Sequence, residues 1–137
     1  MNINTINRVI LSSVAETIEI TIGALAVRLR LPTAPARREA WFVCTHFQND
    51  AVGLETADQA RELAHFVRSL PEGGAFTFVA GDLNSLPWFP APRLLAEAFG
   101  APLGSATAGT FPVAGGRLAI KLDYMYLLHG AGEARAH

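Results

Sequence analysis

The sequence predicts a layered α/β (α+β) domain in which strands outnumber helices. Three observations carry that prediction. Period-two patterns flank a glycine near the start, one amphipathic helix joins two strong apolar strands, and the composition is that of a folded chain. Half of the 137 residues are hydrophobic and 17% are charged, which argues against disorder. The length suits one domain, residues 1–137, and is too short for two comfortable ones.

Arg8 to Ser13 (RVILSS) reads as a short buried strand. In Glu16 to Ile22 (ETIEITI), Ile18, Ile20 and Ile22 alternate with Glu19 and Thr21; in Ala24 to Leu31, Val27, Leu29 and Leu31 alternate with Arg28 and Arg30. With Gly23 between them, these two stretches predict an antiparallel hairpin with one wet face. Pro32 to Arg38 is a loop, and Trp41 to Phe47 (WFVCTHF) is a near-continuous apolar strand expected in the interior of a sheet, with Cys44 buried in it.

Thr56 with Gln59 three residues on has the spacing of a capping box. The helix that follows places Ala60, Leu63, Ala64, Val67 and Leu70 on one face and stops at Pro71, Gly73 and Gly74. His65 lies beside that face, as a packing or surface residue. Ala75 to Ala80 is a second buried strand, Pro92 to Phe99 a short helix ended by Gly100, and Leu118 to Leu128 a last strand. On that strand Leu118, Ile120, Leu122, Tyr124, Tyr126 and Leu128 share one side, Lys121 and Asp123 the other. Residues 130–137 form a frayed tail.

The net charge is −1 and the Lys and Arg residues are scattered, so nucleic acid is a partner only without the help of a basic patch. Cys44 is the single cysteine, which excludes an internal disulfide and a Cys-based zinc site. Met1 to Ile10 holds polar Asn and Thr where a signal peptide needs an apolar run, and no stretch has transmembrane length, so the cytoplasm is the expected compartment. A mean hydropathy of +0.26 is high for a small soluble domain. Either the core is unusually apolar or one face is meant to cover another element.

Three places can carry chemistry. Phe78 to Asn84 (FVAGDLN) ends a buried strand in Gly-Asp-x-Asn. There Asp82 can hold a water or a metal, Asn84 can bind phosphate oxygens, and Gly81 permits close approach of another group; the same residues also suit a plain turn. His46, at the end of its strand, can donate to a phosphoryl oxygen or simply be a satisfied strand-end histidine. Asp123 can orient an imidazole or form a cross-strand ion pair with Lys121. Trp88 and Phe89, between Pro87 and Pro90, wall a pocket or anchor a loop.

Thr45-His46, Gly81-Asp82-x-Asn84, Thr110-Phe111-Pro112 and Leu122-Asp123-Tyr124, in that order, resemble the motif series of the endonuclease/exonuclease/phosphatase superfamily. Gln59, Ala60 and Arg61 in the helix, Ser85 and Pro87 after the Gly-Asp-x-Asn, and the Asn7 to Ser13 strand fit as well, so the resemblance runs from about Arg8 to Leu128 and matches the C-terminal half of that domain. It implies a partial four-layer sandwich of mixed or antiparallel sheets with outer helices. It implies a hydrolase acting on phosphodiesters or phosphomonoesters, nuclease- or phosphatase-like, with Mg²⁺ as Lewis acid.

By the resemblance His46 would bond the scissile phosphate, and Asp82 would orient the attacking water and assist metal binding. Asn84 would position phosphate and water, and Asp123 would support a catalytic histidine. The family's main metal-binding Glu, expected before Arg8, and its closing Ser-Asp-His, expected after Leu128, have no counterpart. Impaired catalysis is therefore one expectation, and a non-catalytic remnant that binds phosphate ligands or proteins is the other. A half-domain also predicts an uncovered apolar sheet face and self-association through it.

Overall fold

Gly23 adopts φ 76°, a left-handed turn that suits glycine and folds β1 (Ala15–Thr21) back on β2 (Ala24–Leu31). The computed structural model describes residues 15–21, 23–31, 38–49, 53–72, 74–105 and 108–130. The expected strand at residues 8–13 and the tail beyond Gly130 lie outside the described residues. β3 (Arg38–His46), α1 (Leu54–Ser69), β4 (Gly74–Asp82), α2 (Pro90–Phe99), β5 (Phe111–Val113), β6 (Leu118–Ile120) and β7 (Asp123–His129) follow.

The main sheet has the order β1-β2-β3-β4-β7 and is mixed. β3 and β4 run parallel, because the chain between them crosses over through α1, and the other neighbours are antiparallel. The apolar strand β3 is central, as its composition predicts. β5 and β6 form a separate two-stranded hairpin.

Both helices lie on one side of the sheet. Ala60, Leu63, Ala64 and Val67 of α1 and Ala91, Leu95 and Phe99 of α2 join Ala26, Trp41, Val43, Val79, Tyr124 and Tyr126 in one buried cluster. Phe99 meets the Tyr126 ring edge-on at 5.7 Å, and the Trp41 indole N–H donates to the Pro71 carbonyl beyond α1 (3.1 Å). Among the described residues, then, the chain builds two layers of the expected sandwich.

Several local expectations change. Gly53, with φ 78°, precedes the first turn of α1, which starts two residues before Thr56 and has no side-chain cap. Thr56 is buried with no partner for its hydroxyl, and Gln59 instead accepts from the Gln48 backbone N–H (2.9 Å). Cys44 is exposed, since it faces away from the helices. His65 is exposed, as one of its two readings allows. The strand expected over Leu118 to Leu128 breaks at Lys121-Leu122, leaving Leu118 65% exposed in the hairpin. Tyr124 and Tyr126 do share the buried side. Lys121 is buried with its ammonium 4.9 Å from the centre of the Tyr124 ring, and no ion pair joins it to Asp123 among the described residues.

The hairpin β1–β2 holds one surprise. The expected wet side of β2 faces the helices: Ala24 and Ala26 are buried there, and Arg28 pairs with Glu39 while lying 5.9 Å over the Trp41 ring. Val27 and Leu29 face the other way, towards a side that no described helix covers.

Candidate functional site

Parallel pairing of β3 with β4 sets His46 level with Asp82, and antiparallel pairing of β4 with β7 sets Asp82 level with Asp123. All three stand in one row at the rim of the sheet, on the face away from the helices. The sequence separates His46 from Asn84 by 38 residues; the βαβ crossover closes that gap.

Asn84 follows the end of β4 in a tight turn. Its φ of 45° is left-handed, a conformation that asparagine tolerates better than most residues. Its backbone N–H donates to Asp82 Oδ1 at 2.7 Å, which closes a tight local turn. Its side-chain Nδ2 donates to the Phe47 carbonyl at 2.7 Å and stands 3.2 Å from His46 Nε2. In that contact Nε2 accepts, so the neutral imidazole carries its proton on Nδ1. Asp82 Oδ2 lies 3.9 Å from the same Nε2. The turn reading and the convergent reading of Gly-Asp-x-Asn therefore both describe the same residues.

The loop is anchored from below. Tyr124 donates its hydroxyl to the Ser85 carbonyl (3.0 Å) in a buried contact, and burial pushes the phenol up to about 12. Tyr126, stacked 6.5 Å from it, is raised further by burial and by the charge of Tyr124. Leu83 N–H donates to the Leu122 carbonyl, and the Thr110 hydroxyl accepts from the N–H groups of Leu122 and Asp123. Thr110 is thus a structural clamp under Asp123. Asp123 itself is exposed and makes no bond to His46; it joins the site as the neighbour of Asp82 across the strands.

Gly81 is required by the sheet and not by a ligand: a methyl group there would overlap the Thr45 carbonyl of β3. Thr45 donates to the Gly23 carbonyl at 2.5 Å and so ties the rim to the β1–β2 turn. Trp88 is 68% exposed beside a shallow cleft lined by Leu86, Pro87, Ala119, Ile120 and Lys121, whereas Phe89 packs against Gly53.

His46 and Asp82 are accessible, with side chains 74% and 33% exposed. Among the described residues no group of three or more His, Cys, Asp or Glu side chains is close enough to hold a metal ion. Mg²⁺ wants near-octahedral oxygen ligands. Asp82, with one oxygen already accepting from Asn84 N–H, does not build that site unaided, so the described residues do not by themselves fit a resident Mg²⁺.

This mixed sheet with helices on one side has the fold of part of endonuclease/exonuclease/phosphatase-type structures. Solved structures of that fold match at low sequence identity. SmcL aligns with a TM-score of 0.60 at 19% identity, over 84% of this chain and 45% of its own. TDP2 from D. rerio, complexed with single-strand DNA product, aligns with a TM-score of 0.56 at 13% identity, over 80% of this chain and 47% of that one. A beta toxin variant from Staphylococcus aureus with bound magnesium ions aligns with a TM-score of 0.54 at 18% identity, over 77% and 41%. The chain spans less than half the length of each of these. No family model matches the sequence, and no curated protein is recognisably similar to it.

Proposed function

We propose that this chain is the phosphate-ester-binding part of a phosphodiesterase- or nuclease-like hydrolase. The observation that carries the reading is the convergence of His46, Asp82 and Asn84 within hydrogen-bonding or ion-pairing reach at the open ends of β3 and β4. The imidazole Nδ1–H offers a donor to a phosphoryl oxygen, the Asn84 amide fixes the ring by donating to Nε2, and Asp82 can hold a water as base. Asp123 adds a second carboxylate on the next strand, positioned to orient an imidazole or water brought against the rim.

The comparisons support a phosphate ester as ligand, since one neighbour holds single-strand DNA product and another magnesium ions. Nucleic acid is thus one candidate ligand, though a net charge of −1 supplies no electrostatic grip on a backbone. A second reading, a binding unit without turnover, is favoured by the absence of a metal-holding cluster among the described residues.

Two measurements on the full chain test these readings. Titration with inorganic phosphate, followed by NMR, should shift the signals of His46 and Asn84, and His46→Ala should abolish the shift. Signals that stay fixed at saturating phosphate would refute the site. Hydrolysis of a generic aryl phosphodiester with added Mg²⁺ should then fall at least about a hundredfold in Asp82→Ala if the chain turns over. Phosphate binding without turnover in either protein would select the binding unit.

A further inference from the structure

Just beyond Asn84 the chain makes a second feature that the His-Asp-Asn cluster does not use. Leu86 to Phe89 form a tight turn, closed by the Phe89 N–H donating to the Leu86 carbonyl (2.9 Å), and Pro87 presets the backbone at its first corner. The turn's two aromatic residues have different surroundings. Phe89 packs against Gly53 ahead of α1 and so anchors the loop. Trp88 stands at the tip, 68% exposed, with the Phe89 ring edge-on to its indole at 6.5 Å. Tryptophan is usually drawn well into a protein, but this indole is held by a rigid turn and left open.

Beside it lies a cleft of about 110 Å³ walled by Leu86, Pro87, Trp88, Ala119, Ile120 and Lys121. Lys121 is only 8% exposed, and its ammonium lies 4.9 Å from the centre of the Tyr124 ring. A ring face occupies one side of a group that has three N–H donors. Among the described residues no carboxylate pairs with that ammonium and no oxygen accepts from it. A buried lysine is normally paired, so this one is left with donors for whatever enters the cleft. A cavity of about 150 Å³ holds one benzene ring, whereas a drug-sized ligand needs at least about 300 Å³. The cleft therefore suits a single ring.

We propose that this cleft binds one planar aromatic ring whose edge carries an acceptor atom or a negative charge. The ring lies against the Trp88 indole, and its edge accepts from Lys121. Leu86 is two residues beyond Asn84 and Lys121 two before Asp123, so on either path the Cα atoms are at most about 7 Å apart. The Leu83 N–H, bonded to the Leu122 carbonyl at 2.9 Å, ties the two paths together. The ring is thus the ester group of the phosphate ligand, an aryl group and not an acyl chain or a polyol. That last step rests on the phosphate reading of the rim.

The test follows Trp88 by fluorescence in the full chain, above the constant signal of the buried Trp41. 4-Carboxyphenyl phosphate should quench Trp88 and bind about tenfold or more tighter than glycerol phosphate, and Trp88→Ala, at an exposed position, should bring the two within about twofold. Lys121→Met, which conserves volume, should weaken benzoate binding about tenfold and leave benzyl alcohol unchanged, whereas lost packing alone would weaken both. Equal affinity for the two phosphates in the wild type would overturn the proposal. So would a ring preference that survives Trp88→Ala, or benzoate and benzyl alcohol responding alike to Lys121→Met. Benzoate quenching with His46 signals indifferent to inorganic phosphate would uphold the cleft and sink the phosphate reading of the rim. A His46 shift without any ring preference would sink the cleft alone.

Discussion

Gly81→Ala is the sharpest test of how the site is built. Gly81 stands level with Thr45 of β3 and Tyr124 of β7, one residue before the rim row. An added methyl group would overlap the Thr45 carbonyl and lie 2.7 Å from its Cγ2, about 1 Å inside normal contact. A side-chain obstacle could rotate away, but a strand carbonyl cannot, so β3 and β4 must part locally. Overpacking costs about 1–3 kcal/mol, and a backbone obstacle puts this change near the top of that range. With a urea slope of about 2 kcal/mol/M, 3 kcal/mol lowers the unfolding midpoint by roughly 1.5 M. Trp41, buried in the core, reports that transition by fluorescence. Because His46 and Asp82 are the next residues on the two strands, phosphate binding should weaken with stability. A midpoint within about 0.2 M of wild type would refute the account of why glycine stands in this motif.

Other expectations follow from single contacts. Tyr124→Phe deletes the bond to the Ser85 carbonyl and should cost about 1–2 kcal/mol by thermal melting, whereas Tyr126→Phe, whose hydroxyl has no partner, should change stability by less than about 0.5 kcal/mol. Tyr124 is raised by burial from 10.0 to about 12, so the folded chain keeps a proton that the unfolded chain releases. Stability is therefore full below pH 10 and lost as pH rises towards 12; a urea midpoint that stays flat to the top of that window would contradict the burial of the phenol. Asn84→Gly accepts φ 45° but removes the amide with its bonds to the Phe47 carbonyl and His46, so it should weaken phosphate binding and cost about 1 kcal/mol. Asn84→Ala adds strain at that φ and should cost more, and equal melting temperatures for the two variants would count against the left-handed turn.

Why was so much of the site legible in the sequence? Asp82 and Asn84 are two residues apart and obey local rules: a strand end, a carboxylate that accepts its neighbour's N–H, and an asparagine that tolerates a left-handed turn. His46 joins them because β3 and β4, linked by an amphipathic helix, must pair in parallel with their C-terminal ends at the same rim. That rim is where an α/β sheet opens to ligands. The misreadings share a cause. Alternation states which residues of a strand share a face but not which face the chain's own helices will cover. In β2 the arginines sit on the alanine side, and the helices chose the alanines because small residues admit a close-packed layer, with Arg28 tucked over Trp41 and paired to Glu39. Cys44 is exposed for the same reason: its strand is apolar on both sides, which is the pattern of a strand meant to be covered twice. Among the described residues one helix layer covers this interior strand, and the strand's other side ends at His46, beside Asp82 and Asp123. Whatever covers that face therefore borders the site, so occupancy of the face and access to the His-Asp-Asn cluster are physically linked.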